Sequence, residues 1–290
     1  MEKLVSIIIP CYNINIDYFN RCLESIKTQS IGFENLEIII VDDSSKINSQ
    51  YLEKYCKTHQ LKYLRTSNNK GPGGARNLGL NNTSTKYVMF IDYDDFYIDD
   101  SVVENMYNKI YNTNNEVVFS TFINKNRLIT YSILSKEDLL KYPPAIFTKI
   151  FSREFLDSKE IRFTEFKNSQ DAIFMLDVIS NLEHYIIYDQ PIIYYEIHES
   201  SISNNFSIES LLTRLRAKVY FDSLALSYGI ENLNDIMFSM DWIVKDIFSR
   251  VLINEDSKHL EEIYSLLQQI CEMENLDFDI VKSYLNITSF

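Results

Sequence analysis

A chain of 290 residues with 46% apolar content can bury a full core, as one large or two smaller domains. Its 41 acidic and 28 basic side chains leave a formal net charge of -13, which argues against a nucleic-acid surface and against docking on anionic lipid. No apolar run reaches the roughly 18 residues of a membrane span, the run Leu4 to Ile9 is too short for a signal core and stops at Pro10, and Cys11, Cys22, Cys56 and Cys271 lack metal spacing. A reduced, cytoplasmic protein is the expectation.

The first half alternates strand and helix signals. Val5 to Ile9 reads as a buried strand, and Tyr18 to Thr28 as a helix with Phe19, Cys22, Leu23 and Ile26 on one face. Leu36 to Val41 is a second strand ending at Asp42-Asp43, Tyr51 to His59 a helix and Leu61 to Leu64 a third strand. A glycine-rich loop, Asn69 to Gly74, precedes a short helix from Ala75, and Lys86 to Ile91 is a fourth apolar strand. Such alternation implies βαβ units and a largely parallel sheet covered on both faces. After Tyr97 a helix runs to about Tyr111, then a strand from Glu116 to Phe122. Pro143-Pro144 interrupts the chain, Ser169 to Asn181 is helical, and Tyr185 to Tyr188 and Ile192 to Ile197 read as two strands around Pro191. From about Phe206 the pattern is helical. The domain boundary is therefore expected at 205/206, giving 1–205 and a helical region 206–290.

The chemistry concentrates at strand ends. Asp92, Asp94 and Asp95 close the fourth strand, where open α/β sheets bind ligands. Gathered carboxylates repel and lose hydration, so a cation must offset them, and oxygen-rich sets suit Mg²⁺ or Mn²⁺. Gly71-Pro72-Gly73-Gly74 permits close backbone approach before a helix N-terminus, although no Lys-Ser or Lys-Thr follows as in a P-loop.

The blocks Ser6 to Asn13, Val41 to Ser45, Asn69 to Asn77 and Ile91 to Asp95, in this order, resemble the nucleotide-sugar half of the inverting glycosyltransferases of family 2, which have a GT-A fold. The resemblance covers roughly residues 3 to 205. It implies that Pro10, Tyr12 and Asn13, in the turn after strand one, wall the base, that Asp42 and Asp43 contact base and ribose, and that Gly73 and Arg76 meet the diphosphate or donor sugar. Asp92, with Tyr93 beside it, faces the ribose or the metal's water shell, and Asp94 ligates the Mn²⁺ or Mg²⁺. Asp95 is a structural or sugar-facing neighbour. The family's Glu-Asp pair is here Gln170-Asp171, so the general-base role carries over to Asp171 without a second negative charge. His198 is a further metal ligand, and Ser201 and Ser203 line the diphosphate. Where the family often has a basic residue this chain has Glu196.

The resemblance implies a metal-dependent transfer from a UDP-sugar to a hydroxyl of a glycan, teichoic-acid-like, lipid-linked or glycoprotein acceptor. The protein is placed in the cytoplasm or at the inner face of the cell membrane. No nucleic-acid partner is expected. The apolar stretch from Ile236 to Leu252 reads as core, as the interface of a homo-oligomer or as a membrane-surface contact, core being the safest reading. Two other classes stay open: a scaffolding subunit with a decayed site, and a nucleotidyltransferase, which would carry a basic Gly-rich loop after strand one.

Overall fold

The computed structural model describes residues 2–124, 127–129, 135–142, 144–196, 207–238, 257–279 and 281. Among them the chain forms two compact units. The first comprises Met1–Leu134, Ala145–Glu165 and Asn181–Ile197, and the second Ser135–Pro144, Phe166–Ser180 and His198–Phe290. The expected boundary at 205/206 lies outside the described residues.

The first unit is a mixed sheet of nine strands flanked by helices. Strands β1 (Val5–Cys11), β2 (Leu36–Asp42), β3 (Lys62–Arg65) and β4 (Tyr87–Phe90) run parallel in the order β3-β2-β1-β4. Every residue of β1 is buried, which is why its sequence is apolar except for the hydrogen-bonded Ser6 and does not alternate. Helix α1 (Ile16–Lys27) starts where Asn15 Oδ1 accepts from the N–H groups of Asp17 (2.9 Å) and Tyr18 (3.2 Å), an N-cap. It buries Phe19, Cys22, Leu23 and Ile26, as the periodicity predicts. Helix α2 (Ser49–His59) follows β2, and helix α3 (Gly71–Leu80) follows β3. A Cβ on Gly79 would lie 2.5 Å from Ile8 Cγ2 and 3.3 Å from Val41 Cγ2. Only glycine lets α3 lie this close to β1 and β2.

Beyond β4 the sheet turns mixed. The two-residue strand β5 (Phe96–Tyr97) leads to helix α4 (Val102–Ile110), β6 (Val117–Asn124) and β7 (Arg127–Ile129). After the short helix α5 (Lys136–Leu139) come β8 (Lys149–Ser152) and helix α6 (Arg153–Ser158). β8 is antiparallel to β4 and β6, whereas β9 (Tyr185–Tyr195) runs parallel to β6 and antiparallel to β5. The two strands expected around Pro191 are thus one. The pairing with β6 shifts register between Phe119 and Phe122, where Ser120 Oγ donates to Gln190 O. A bulge tolerates a residue with no N–H to give the ladder.

The second unit contains α5, α7 (Gln170–Asn181), α8 (Ile208–Ser227) and α9 (Ser257–Glu274). The Tyr228 hydroxyl donates to Asp177 Oδ1 at 2.5 Å, and Lys136 Nζ donates to Ser180 O at 3.0 Å. α8 and α9 are joined through a sealed ionic group: Lys218 Nζ donates to the carboxylates of Asp222 and Glu274, with all three side chains at 0% exposure. No described helix is long and apolar enough to cross a membrane.

Candidate functional site

The C-terminal ends of β1, β2 and β4 bring most of the predicted residues into the same unit. Pro10 differs from expectation: it lies inside β1, buried opposite Val41, and not in the turn that follows. It is the next-to-last residue of that strand. Tyr12 is 38% exposed beyond the strand. Asn13 has φ +47°, a left-handed backbone that asparagine tolerates. Its N–H donates to Ser45 Oγ at 2.9 Å, and its Oδ1 accepts from Lys46 N (2.8 Å) and Ile47 N (3.2 Å). Asn13 therefore ties the turn after β1 to the turn after β2.

Asp42 and Asp43 do different work. The Asp42 side chain is fully buried, with Oδ1 accepting from Ser45 N at 2.8 Å and Oδ2 from the Tyr63 hydroxyl at 2.8 Å and from the half-exposed Arg65 guanidinium. Arg65 stands opposite Asp42 in the β2–β3 register and also donates to Ser45 O at 3.0 Å. Sequence reading missed it, although an arginine at the C-terminal end of the neighbouring strand was the available signal. Asp43 instead caps α3 from outside. Its Oδ1 accepts from the Thr66 hydroxyl (2.8 Å) and Lys70 N (2.9 Å), and its Oδ2 accepts from Gly71 N (2.8 Å).

That cap revises the glycine segment. The helix begins at Gly71, not Ala75, so Gly71-Pro72-Gly73-Gly74 is its first turn and not a free loop. Gly71 enters it at φ +75°, a backbone open to glycine but strained for other residues. Pro72, with no N–H to lose, suits the first turn, and the acidic cap matches the helix dipole. Gly73 is buried in that turn, and the N–H groups of Lys70 and Gly71 are occupied by the protein's own carboxylate.

Arg76 points from α3 to the fourth strand's end. It is 4% exposed, its Nη2 lies 2.5 Å from Asp92 Oδ1, and its guanidinium carbon lies 5.6 Å from the Phe163 ring centre. This places the predicted Arg76 and Asp92 in one charge-assisted contact. Asp92 keeps about a third of its side chain exposed (31%). Tyr93 follows; burial first, and then Asp94, push its hydroxyl up to about 12. Asp95 is 1% exposed; its Oδ1 accepts from Glu196 N at 2.9 Å, while its buried Oδ2 has no hydrogen-bond partner among the described residues. Burial, with Asp92 and Asp94 beside it, holds its carboxyl well above the usual carboxylate range.

Two side chains at this turn escaped sequence reading. Arg21 of α1 donates through Nη2 to Asp94 O at 3.1 Å and pairs with Glu196 Oε2 at 2.8 Å. Glu196, read from sequence only as a missing basic residue, is thus half of an ion pair. Helical periodicity marks the buried face of α1 but says nothing about where a polar side chain on its flank reaches. All four cysteines are buried free thiols, as expected, with burial raising the Cys11 and Cys22 thiols well above their usual range.

Asp171 occupies the first turn of α7 in the second unit, with Oδ1 accepting from its neighbour's N–H, Ala172 N, at 3.0 Å. Gln170 beside it is 5% exposed. His198, Ser201 and Ser203 lie outside the described residues.

Comparison with known proteins gives the arrangement its family. Residues 6–175 match the model of glycosyl transferase family 2. The minor teichoic acid biosynthesis protein GgaB of Bacillus subtilis is 26% identical across 98% of this chain and 34% of its own length. The poly(ribitol-phosphate) beta-N-acetylglucosaminyltransferase TarP of Staphylococcus aureus is 27% identical across 71% of this chain and 66% of its own. The chain thus spans about a third of the first relative and just under two thirds of the second. Among solved structures, S. aureus TarS 1-349 in complex with UDP-GlcNAc superposes with a TM-score of 0.65 at 20% identity, covering 97% of this chain and 83% of that one. The mannosyltransferase PcManGT of Pyrobaculum calidifontis, in complex with GDP-Man and Mn²⁺, gives 0.59 at 13%, covering 99% and 86%. Those structural likenesses show a shared GT-A-type fold. With more than half its length matched by the family model, this chain belongs to glycosyl transferase family 2.

Proposed function

We propose that this protein transfers a sugar, with inversion, from a UDP-sugar to a hydroxyl of a teichoic-acid-type glycan, and that Asp171 is the general base. The observation that carries the donor half is the Asp92–Asp95 turn at the end of β4, which retains exposed carboxylate while Arg76 grips Asp92 from α3. Arg76 offsets part of the carboxylate charge that a diphosphate would meet at this edge. The base would lie against the turns after β1 and β2, where Tyr12 is exposed and Asn13 and Ser45 are bonded together. The complex of the TarS neighbour with UDP-GlcNAc supports uridine as the nucleotide. The names of GgaB and TarP support a teichoic-acid-type acceptor.

The carboxylate set suits a divalent ion. Among the described residues no three His, Cys, Asp or Glu side chains gather to hold a metal by themselves. Mg²⁺ and Mn²⁺ chemistry does not require that, since such ions bind through one or two carboxylates and complete their shell with water and substrate phosphates. Asp94 would hold the ion, with His198 as a further ligand and Asp92 facing its water shell or the ribose. When bound, the metal supplies charge neutralisation for the leaving diphosphate. The chain's own residues do the rest: Arg76 orients Asp92, the Asp43-capped helix fixes Arg76, and Asp171 takes the proton of the acceptor hydroxyl as it attacks.

A nucleotide-release assay with UDP-, GDP-, dTDP- and CMP-sugars, Mn²⁺ or Mg²⁺, and a poly(polyol-phosphate) acceptor tests this reading. UDP release from one donor, raised by the acceptor and lost with EDTA, is expected. Release of another nucleotide, or undiminished release in EDTA, contradicts it.

A further inference from the structure

Helix α1 runs beside the aspartate turn and holds its backbone at successive points. Cys22 Sγ approaches Asp92 O at 3.6 Å, Arg21 Nη2 donates to Asp94 O at 3.1 Å, and Ser25 Oγ accepts from Tyr97 N at 3.1 Å. Further along, Gln29 Nε2 donates to Asp99 O at 2.8 Å and its Oε1 accepts from Val103 N at 2.9 Å. Helix α1 and Gln29 just past its C-terminus thus track the chain from the end of β4 to the start of α4.

Arg21 is the charged member of this row, and it joins a second element. Its guanidinium also pairs with Glu196, the residue that follows β9, at 2.8 Å. It lies 4.4 Å from the centre of the Phe96 ring and 5.2 Å from that of Tyr18. Phe96 in turn stacks on Tyr194 of β9, with centres 5.1 Å apart and planes 18° apart. The backbone repeats the connection: Phe96 pairs with Tyr194 in the β5–β9 register, and Glu196 N donates to Asp95 Oδ1 at 2.9 Å. The ion pair is half exposed, at 37% and 28% of the two side chains. By itself an exposed pair contributes little. Here a planar guanidinium has its carbonyl, carboxylate and ring contacts together, which fixes geometry more than it adds energy.

We infer that Arg21 and Glu196 are positioning residues that clasp the aspartate turn between α1 and the exit of β9, and so set its affinity for a nucleoside diphosphate with its divalent ion. The inference rests on the donor reading above for its ligand, but the clasp itself can be measured without one.

The test uses the full chain with Arg21→Gln, Arg21→Lys, Glu196→Gln and the double Gln variant. Hydrogen exchange of the ligand-free proteins at the amides of 94–97 and 193–196 is expected to quicken about tenfold in Arg21→Gln and less in Arg21→Lys, with the amides of β1 and β2 unchanged. Titration with UDP and Mn²⁺ is expected to give about tenfold weaker binding in each single Gln variant. The double variant is expected to be no worse than either, because the two act as one unit. Rate at saturating donor should change less than about threefold, separating positioning from chemistry. Exchange and affinity like wild type in both single variants would overturn the inference, as would additive losses in the double. If wild type bound no UDP, the donor reading would fall, while the exchange data would still decide the clasp.

Discussion

The two units treat gathered carboxylates in opposite ways. In the first, Asp92, Asp94 and Asp95 sit on a turn held from two sides by arginine: Arg76 on the Asp92 carboxylate and Arg21 on the Asp94 carbonyl. Asp92 keeps solvent access. In the second, Asp222 and Glu274 are sealed with Lys218 between two helices at 0% exposure. One lysine against two carboxylates leaves that group short of positive charge, and Asp222 Oδ2 and Glu274 Oε2 find no partner among the described residues. That group joins α8 to α9, whereas the open group, held at its margins, is the one that can take a ligand. Acidity alone does not mark a site, and what distinguishes the two clusters is which faces the protein leaves unfilled.

The largest effect should separate chemistry from both clusters. Asp171→Asn is expected to lower turnover by about 10² to 10⁴, the usual worth of a positioned base, with UDP binding retained when measured by calorimetry. Turnover near wild type would remove Asp171 from the mechanism.

Lys218→Met sharpens the contrast from the sealed side. Leaving two buried carboxylates without their cation should destabilise the fold by about 3–5 kcal/mol in denaturant titration, with UDP affinity per folded molecule unchanged. In the first unit, Gly79→Ala forces a methyl group against Ile8 and Val41. It should cost about 1–3 kcal/mol, the usual range for overpacking, read as a lower unfolding midpoint.

A further effect is one of pH. Burial pushes the Asp222 carboxyl up from its ordinary 3.8 to about 7. Between those values the folded state keeps a proton that the unfolded chain releases, so this group's contribution to stability is full below about pH 4 and is lost as pH rises through 7. Thermal unfolding between pH 5 and about 8 should show that fall in wild type. Asp222→Asn should flatten it, and an unchanged slope would mean that another group titrates.

The parallel half of the sheet was legible because β1 and β2 are buried on both faces and carry continuous apolar runs, Ile7 to Ile9 and Ile38 to Val41. The carboxylates at its edge followed from the same pattern, since a strand ends where the apolar run stops. What was hidden depended on tertiary contacts. Gly71 to Gly74 reads as a loop by composition but is helical because Asp43, distant in sequence, caps it. The strand β5 has two residues, too few to carry a period, and β9 absorbs Pro191 because β9 itself bulges there against β6. Arg21, Arg65 and Glu196 belong to side-chain networks spanning elements that no local pattern connects.

The central claim, that the open aspartate turn holds the donor nucleotide through a divalent ion, is tested most directly by calorimetric titration of UDP into wild type and Asp94→Ala, each with and without Mn²⁺. Metal-dependent binding in wild type that disappears in Asp94→Ala, with the unfolding midpoint unchanged, is the predicted result. Equal binding by the two proteins, or binding indifferent to Mn²⁺, would contradict it.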